Sequence, residues 1–169
     1  MIRRTFDAGL VARALADQGQ QFGTVPSSLS DWASLQAVFA RYRLLSVTNH
    51  FILSGEFDTT PAYPTLFVYH DFVSAGAPAS LQDAMLKQGL KQLNFGSMNP
   101  VRSFRYVPNV WTSTGFQVQV PAPSVKYQTA TGFAPVFSSS AWALNYNTTV
   151  GSPAIRLVQE MIIEFSEPI

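Results

Sequence analysis

Charge is what this sequence has least of. Its 169 residues include 11 Lys and Arg and 10 Asp and Glu, 12% in all, about half the share of an ordinary soluble domain. The two signs nearly cancel, at +1, so composition shows no general bias toward nucleic acid or an acidic ligand. Cysteine is absent, which removes disulfides, thiolate metal sites and a Cys nucleophile. Histidine occurs only at His50 and His70. Long apolar runs are missing as well. Runs such as Phe51-Ile52-Leu53 and Met161-Ile162-Ile163 fall far short of the ~20 residues that cross a bilayer. The opening Met1-Ile2-Arg3-Arg4-Thr5-Phe6-Asp7 has charges and no apolar stretch, so neither a secretory signal nor membrane insertion is expected.

What is present is apolar and aromatic: 47% of the residues are hydrophobic, with 13 Phe, 6 Tyr and 3 Trp. A single domain over residues 1–169 is expected to bury about 70% of its unfolded surface, and it cannot place half its residues inside. Apolar side chains are therefore expected on the outside, where they mark a partner. The simplest partner is another copy of the chain.

Period-two alternation dominates the pattern. In 5–14 the even positions Phe6, Ala8, Leu10, Ala12 and Ala14 form one face of a half-buried strand. Residues 41–54 are a long β-rich run with Ser46, Thr48 and His50 on its polar face. Shorter strands are expected at 65–71, 102–107 and 141–147, with others near 116–120 and 125–130. At 155–166, Ile155, Leu157, Met161, Ile163 and Phe165 alternate with Arg156, Glu160 and Glu164. Two segments change period. Residues 31–39 space Trp32, Leu35 and Phe39 helically behind Ser30 and Asp31. Ser80-Leu81-Gln82-Asp83 resembles a capping box, with Gly89 as a stop. The expectation is an all-β domain, an eight-stranded antiparallel jelly-roll sandwich with two short helices in its connections.

Within that frame several residues are similar to a known group. Phe39-Ala40-Arg41-Tyr42-Arg43-Leu44-Leu45-Ser46-Val47, Tyr69-His70-Asp71 before the helix at 80–88, and 91–100 leading into Phe104-Arg105-Tyr106-Val107-Pro108 resemble single jelly-roll capsid proteins. The likeness is to those of small circular single-stranded DNA viruses, circovirus-like. It implies strands B (5–14), C (41–54), D (64–70), E (91–95), F (102–107), G (about 125–130), H (141–147) and I (155–166). It further implies a virion coat subunit that self-assembles, in about 60 copies, into an icosahedral shell around single-stranded nucleic acid, with each contact burying on the order of 2,000 Å². Such proteins usually carry an Arg-rich arm that displaces counterions from the genome; here only Arg3 and Arg4 stand near the start.

Arg3, Arg4, Arg41 and Arg43, with Lys126, are the candidates for an inward-facing patch on phosphate. Their bland alternative is pairing with acids or stacking at the sheet edge. Trp111, in a Pro- and Gly-rich stretch, is the candidate interface anchor, whereas Trp142 reads as core. His70 beside Asp71 lacks the nucleophile and oxyanion site of a catalytic arrangement. Asp58 and Asp71 lack the acidic cluster a calcium site needs. No cofactor, metal or enzymatic activity is expected. The Asn147-Thr148-Thr149 sequon reads as a chance match. The alternatives are a trimeric jelly-roll ligand of the tumour-necrosis-factor or complement-head kind, and a carbohydrate-binding sandwich.

Overall fold

A computed structural model describes residues 1–11, 18–24, 26, 29–54, 65–70, 77–87, 89–96, 100–107, 109–114, 116–121, 128–129, 137–144 and 154–168. For 10–11, 18, 20, 23–24, 54, 109–114, 116–121, 128–129, 137–144, 154 and 167 the description is of the backbone alone. The strands are β1 (Ile2–Val11), β2 (Gln18–Thr24), β3 (Phe39–Ser54), β4 (Thr65–His70), β5 (Lys91–Asn94), β6 (Val101–Tyr106), β7 (Asn109–Thr114), β8 (Phe116–Pro121), β9 (Gln128–Thr129), β10 (Phe137–Leu144) and β11 (Ala154–Pro168). Helix α1 (Trp32–Gln36) lies before β3, and α2 (Leu81–Met85) lies between β4 and β5. No described helix is long and apolar enough to cross a membrane.

Two sheets carry the fold. One has the order β1-β11-β3-β6, with β9 added beside β3; the other has the order β2-β10-β4-β5; β7 and β8 form a separate hairpin. Every pairing is antiparallel. With strands lettered B to I, these are the B-I-D-G and C-H-E-F sheets of a jelly roll, two Greek keys folded face to face. The lettering expected from sequence is corrected by this order. Strand β2 takes the place of C, so 41–54 belongs to D, 64–70 to E, 91–95 to F and 102–107 to G. Seven of the eight expected strands are present, whereas 125–130 shrinks to β9, whose two residues pair with Arg41 and Tyr42. The missed strand, Gln-Gly-Gln-Gln-Phe-Gly-Thr, has one large apolar residue and two glycines, so it carries no alternation to detect.

The core lies between the sheets. Tyr42, Leu44, Val47, Phe51, Leu53, Phe104, Tyr106, Ile155, Leu157, Met161 and Ile163 meet Phe22, Leu66, Val68, Leu93 and Phe95. Phe22 and Phe51 touch edge to face across the gap, ring centroids 5.5 Å apart. One buried row is polar: Asn49 lies opposite Gln159, and the Gln159 amide donates to Asn49 Oδ1 at 3.0 Å. His70 is also buried, stacked on Tyr106 at 4.4 Å, so its ring serves packing between the sheets.

The helices pack on different sheets, α1 against β3 and α2 against β4 and β10. Ser80 accepts from the Asp83 N–H at 3.1 Å, the forward half of the capping box that the sequence foreshadows, and Asp83 Oδ2 accepts from the Ala79 N–H at 3.1 Å, one residue before the cap. Helix α2 buries Ala84, and the adjacent Lys87 ammonium lies 5.8 Å from the Tyr69 ring. The expected cap at Asp31 forms differently. Its side chain makes no bond to the helix and instead accepts from Arg4 Nε at 2.5 Å. Beneath α1, Trp32 meets Tyr42 edge to face at 4.9 Å, and Phe165 closes the cluster.

The Tyr42 hydroxyl and Trp32 Nε1 are buried without a hydrogen-bond partner among the described residues, and burial raises the Tyr42 phenol well above its ordinary value. A buried, unsatisfied hydroxyl costs free energy that a phenyl ring of the same shape does not. Tyr42→Phe is therefore expected to leave stability unchanged or raise it by up to about 1 kcal/mol, read by chemical denaturation. A loss larger than that would reveal a partner for the hydroxyl.

Candidate functional site

The outward face of the β1-β11-β3-β6 sheet gathers most of the charge among the described residues. Register defines its rows. Arg3, Ile162 and Ser46 form one; Thr5, Glu160, Thr48 and Arg105 the next; then Asp7, Val158, His50 and Ser103; then Leu10, Arg156, Ile52 and Val101. Beyond Ser46 lie the pairs Arg43–Glu164 and Arg41–Ser166.

A bulge makes this face continuous. The ladder slips between Ile162 and Ile163, where Ser46 and Leu44 are their partners. Leu45 is the extra residue, so side-chain parity reverses across it. Tyr42 and Leu44 point inward before the bulge, and Val47, Asn49 and Phe51 point inward after it. Arg41 and Arg43 consequently share a face with Ser46, Thr48 and His50, from which strict alternation would separate them.

Ion pairs knit the strands on this face. Arg3 Nε lies 3.4 Å from Glu160, Arg43 pairs with Glu164, and Arg156 grips both oxygens of Asp7. Arg105 donates to Ser46 Oγ at 3.4 Å, and His50 Nδ1 lies 2.8 Å from Ser103 Oγ. These are exposed or half-exposed contacts, each contributing little to stability. Their physical result is a hydrogen-bonding surface on which five arginines (Arg3, Arg41, Arg43, Arg105, Arg156) meet three acids (Asp7, Glu160, Glu164).

The hydrogen bond from Arg156, with a further one from the Gly9 N–H at 3.0 Å, holds the Asp7 carboxyl below its ordinary value of 3.8. The native state thus binds the Asp7 proton more weakly than the unfolded chain does. The pair's contribution is complete above the unfolded value and is lost as pH falls through the lower folded one. Asp7→Asn is expected to lower the melting temperature slightly at pH 7, where the pair contributes in full, and to flatten the fall below about pH 4 so that variant and parent converge in acid. An unchanged acid limb would contradict this.

The structure separates the residues singled out from sequence. Arg3, Arg41 and Arg43 share the charged face. Arg4 does not, because it lies opposite Met161 with inward parity and reaches Asp31 at the edge. Lys126, Asp58, Asp71 and Asn147 lie outside the described residues. Trp111 sits on β7 and Trp142 on β10, but their side chains lie outside the description. Sequence reasoning missed Arg105 and Arg156. Each stands on the polar side of its own strand, a visible signal, but only the register shows that both join Arg41 and Arg43. Among the described residues, no three metal-ligating side chains cluster. Exposed large hydrophobics among them are few: Met1, Val38, Met85, Leu86, Val101 and Val107.

No protein-family model matches the sequence, and no curated protein matches it either. Solved structures do. Tobacco necrosis virus superposes with a TM-score of 0.63 at 14% identity, covering 99% of this chain and 95% of that one. A 60-mer BFDV capsid protein gives 0.61 at 12% identity, covering 98% and 91%. A picornavirus capsid, from an expanded equine rhinitis A virus particle, gives 0.61 at 18%, covering 95% and 70%. The fold that this chain shares with these structures is the jelly roll. These structures include both circovirus and RNA-virus capsids, so the capsid jelly roll is common to them and the circovirus-like resemblance is one branch of it.

Proposed function

We propose that this chain is a virion coat subunit, one shell domain over residues 1–169, that self-assembles into a small icosahedral capsid enclosing a genome. The observation that carries the reading is the strand order of the two sheets, matched over nearly the whole chain by capsid proteins. Within that reading the circovirus-like resemblance favours a small circular single-stranded DNA virus, and the 60-mer capsid protein favours a shell of 60 copies. The role is architectural and not enzymatic. Rigid sandwiches present loops and edges that fit their neighbours, with apolar contacts central.

Packaged single-stranded nucleic acid is the second partner in this reading. Arg3, Arg41 and Arg43, joined by Arg105 and Arg156, would meet phosphate on the charged sheet face. Three of these five (Arg3, Arg43 and Arg156) are already neutralised by acids, so a phosphate contact at any of those three must compete with an existing ion pair. Binding of this kind is weak and strongly salt-dependent, and Lys126 is carried as a further candidate.

Negative-stain imaging and light scattering of the purified chain test the proposal. Closed particles of uniform diameter are expected. A monodisperse monomer at micromolar concentration would overturn it.

A further inference from the structure

We infer that the free edge of β1 is a subunit contact in which β1 pairs antiparallel with β1 of a second copy around a two-fold axis through Thr5. This rests on the reading of the chain as a self-assembling subunit and names the surface that reading leaves open.

Strand β1 is bonded on one side to β11 over nine register pairs from Ile2 to Val11. Among the described residues, no strand pairs with its other side. A long edge of unpaired N–H and C=O groups is a template for a further strand. Proteins that keep such an edge solitary commonly bend it, and β1 does bend, but only at its far end. There the ladder slips between Asp7 and Gly9, Gly9 takes a positive φ of 86°, and Asp7 Oδ1 accepts from the Gly9 N–H. The segment from Ile2 to Asp7 keeps a regular ladder.

That regular segment is self-complementary. In an antiparallel pairing centred on Thr5, Arg3 of each copy lies directly opposite Asp7 of the other, and Thr5 opposite Thr5. Such an arrangement is what a two-fold contact requires, the same patch serving both sides. Arg3, Thr5 and Asp7 all have outward parity and are exposed. Opposite charges facing each other across strands favour pairing, and like charges in the same place disfavour it. The match extends beyond the edge. Asp7 is held by Arg156, and Arg3 stands beside Glu160. The row across the axis would therefore read Arg156, Asp7, then Arg3 and Glu160 of the second copy, alternating in sign throughout. A one-residue slip would destroy this pattern and turn each strand's side chains to the wrong face.

The absence of cysteine makes the test clean. In Thr5→Cys, the two thiols would stand across the axis with Cβ atoms about 4.5–5.5 Å apart, close to what a disulfide needs. Purified Thr5→Cys under mild oxidation is expected to form a covalent dimer about tenfold faster, or more, than Ser103→Cys at equal concentration, because paired strands hold the thiols at high effective concentration. Ser103 is the control because it is exposed and lies on β6, at the opposite edge of the same sheet. Adding Arg3→Asp to Thr5→Cys sets acid against acid across the axis and is expected to erase that advantage. Equal crosslinking of Thr5→Cys and Ser103→Cys in preparations that form particles would overturn the edge contact and leave the coat-subunit reading standing. Rapid Thr5→Cys crosslinking without particles would uphold the contact and remove the shell.

Discussion

Phe51→Ala is expected to lower stability by about 3–5 kcal/mol, the largest effect of any single truncation in the sandwich. Phe51 is fully buried near the C-terminal end of β3. Its β11 neighbour is Leu157, and Arg102 lies opposite it on β6. Its ring meets Phe22 across the interior, making it one of the aromatic contacts that hold the two sheets together. Truncation opens a cavity between two hydrogen-bonded layers whose spacing is set by other side chains, so little collapse can offset the loss. For a protein of ordinary stability, about 5–15 kcal/mol in all, such a change consumes much of the reserve. Chemical denaturation should show a lower midpoint with an unchanged slope. Phe51→Leu, which keeps most of the volume, should recover the greater part. A loss under 1 kcal/mol for the alanine variant would contradict the packing described.

The second large effect comes from adding atoms. Gly19 lies on β2 in one row with Trp142 and Phe67, on the face turned away from Leu66 and Val68. The segment that leads into α2 crosses it there. A Cβ on Gly19 would overlap the carbonyl oxygen of Pro78, a buried backbone atom on a ring-constrained residue, which cannot rotate aside as a long side chain would. Gly19→Ala is expected to cost about 3 kcal/mol, at the upper end of overpacking penalties, and Gly19→Val more. The strain should concentrate at the β2 edge and the 77–80 segment, so hydrogen exchange should speed there before it changes in β3 or β11. By contrast a Cβ on Gly96 meets open space, and Gly96→Ala serves as the matched control.

These two residues also show where sequence stops being informative. Phe51 belongs to a long β-rich run, and such runs marked most of the main strands because a half-buried sheet writes its period into the chain, whereas 91–95 was expected from the capsid resemblance alone. The Ser80–Asp83 cap was equally readable, since it depends on residues three apart. Strand β2 was not. Its glycine exists to admit a distant segment, a requirement that local pattern cannot express, and the missed strand displaced every letter from C to G. The charged face was half legible for a related reason. Arg41 and Arg43 were visible, but the Leu45 bulge reversed parity between them and His50, and Arg4 left the face for Asp31. Bulges and long-range ion pairs are properties of the assembled sheet.

The apolar composition resolves in the same way. The described core takes up large aromatics from both sheets, and the exposed hydrophobics among the described residues are Met1, Val38 after α1, the neighbours Met85 and Leu86 at the end of α2, and Val101 and Val107 at the ends of β6. Composition alone could not assign the apolar excess to interior or surface.

The position of β11 has a consequence for synthesis. It follows every other strand in the chain, yet it sits between β1 and β3 and bonds to both along most of its length. A polypeptide still emerging from the ribosome would hold those two strands with nothing between them until residues 154–168 are free. Most of the native pairings join distant parts of the chain, a topology that folds slowly. Completion of this sheet is thus tied to the end of the domain's translation, and a prematurely terminated product would lack the keystone that brings its first and third strands together.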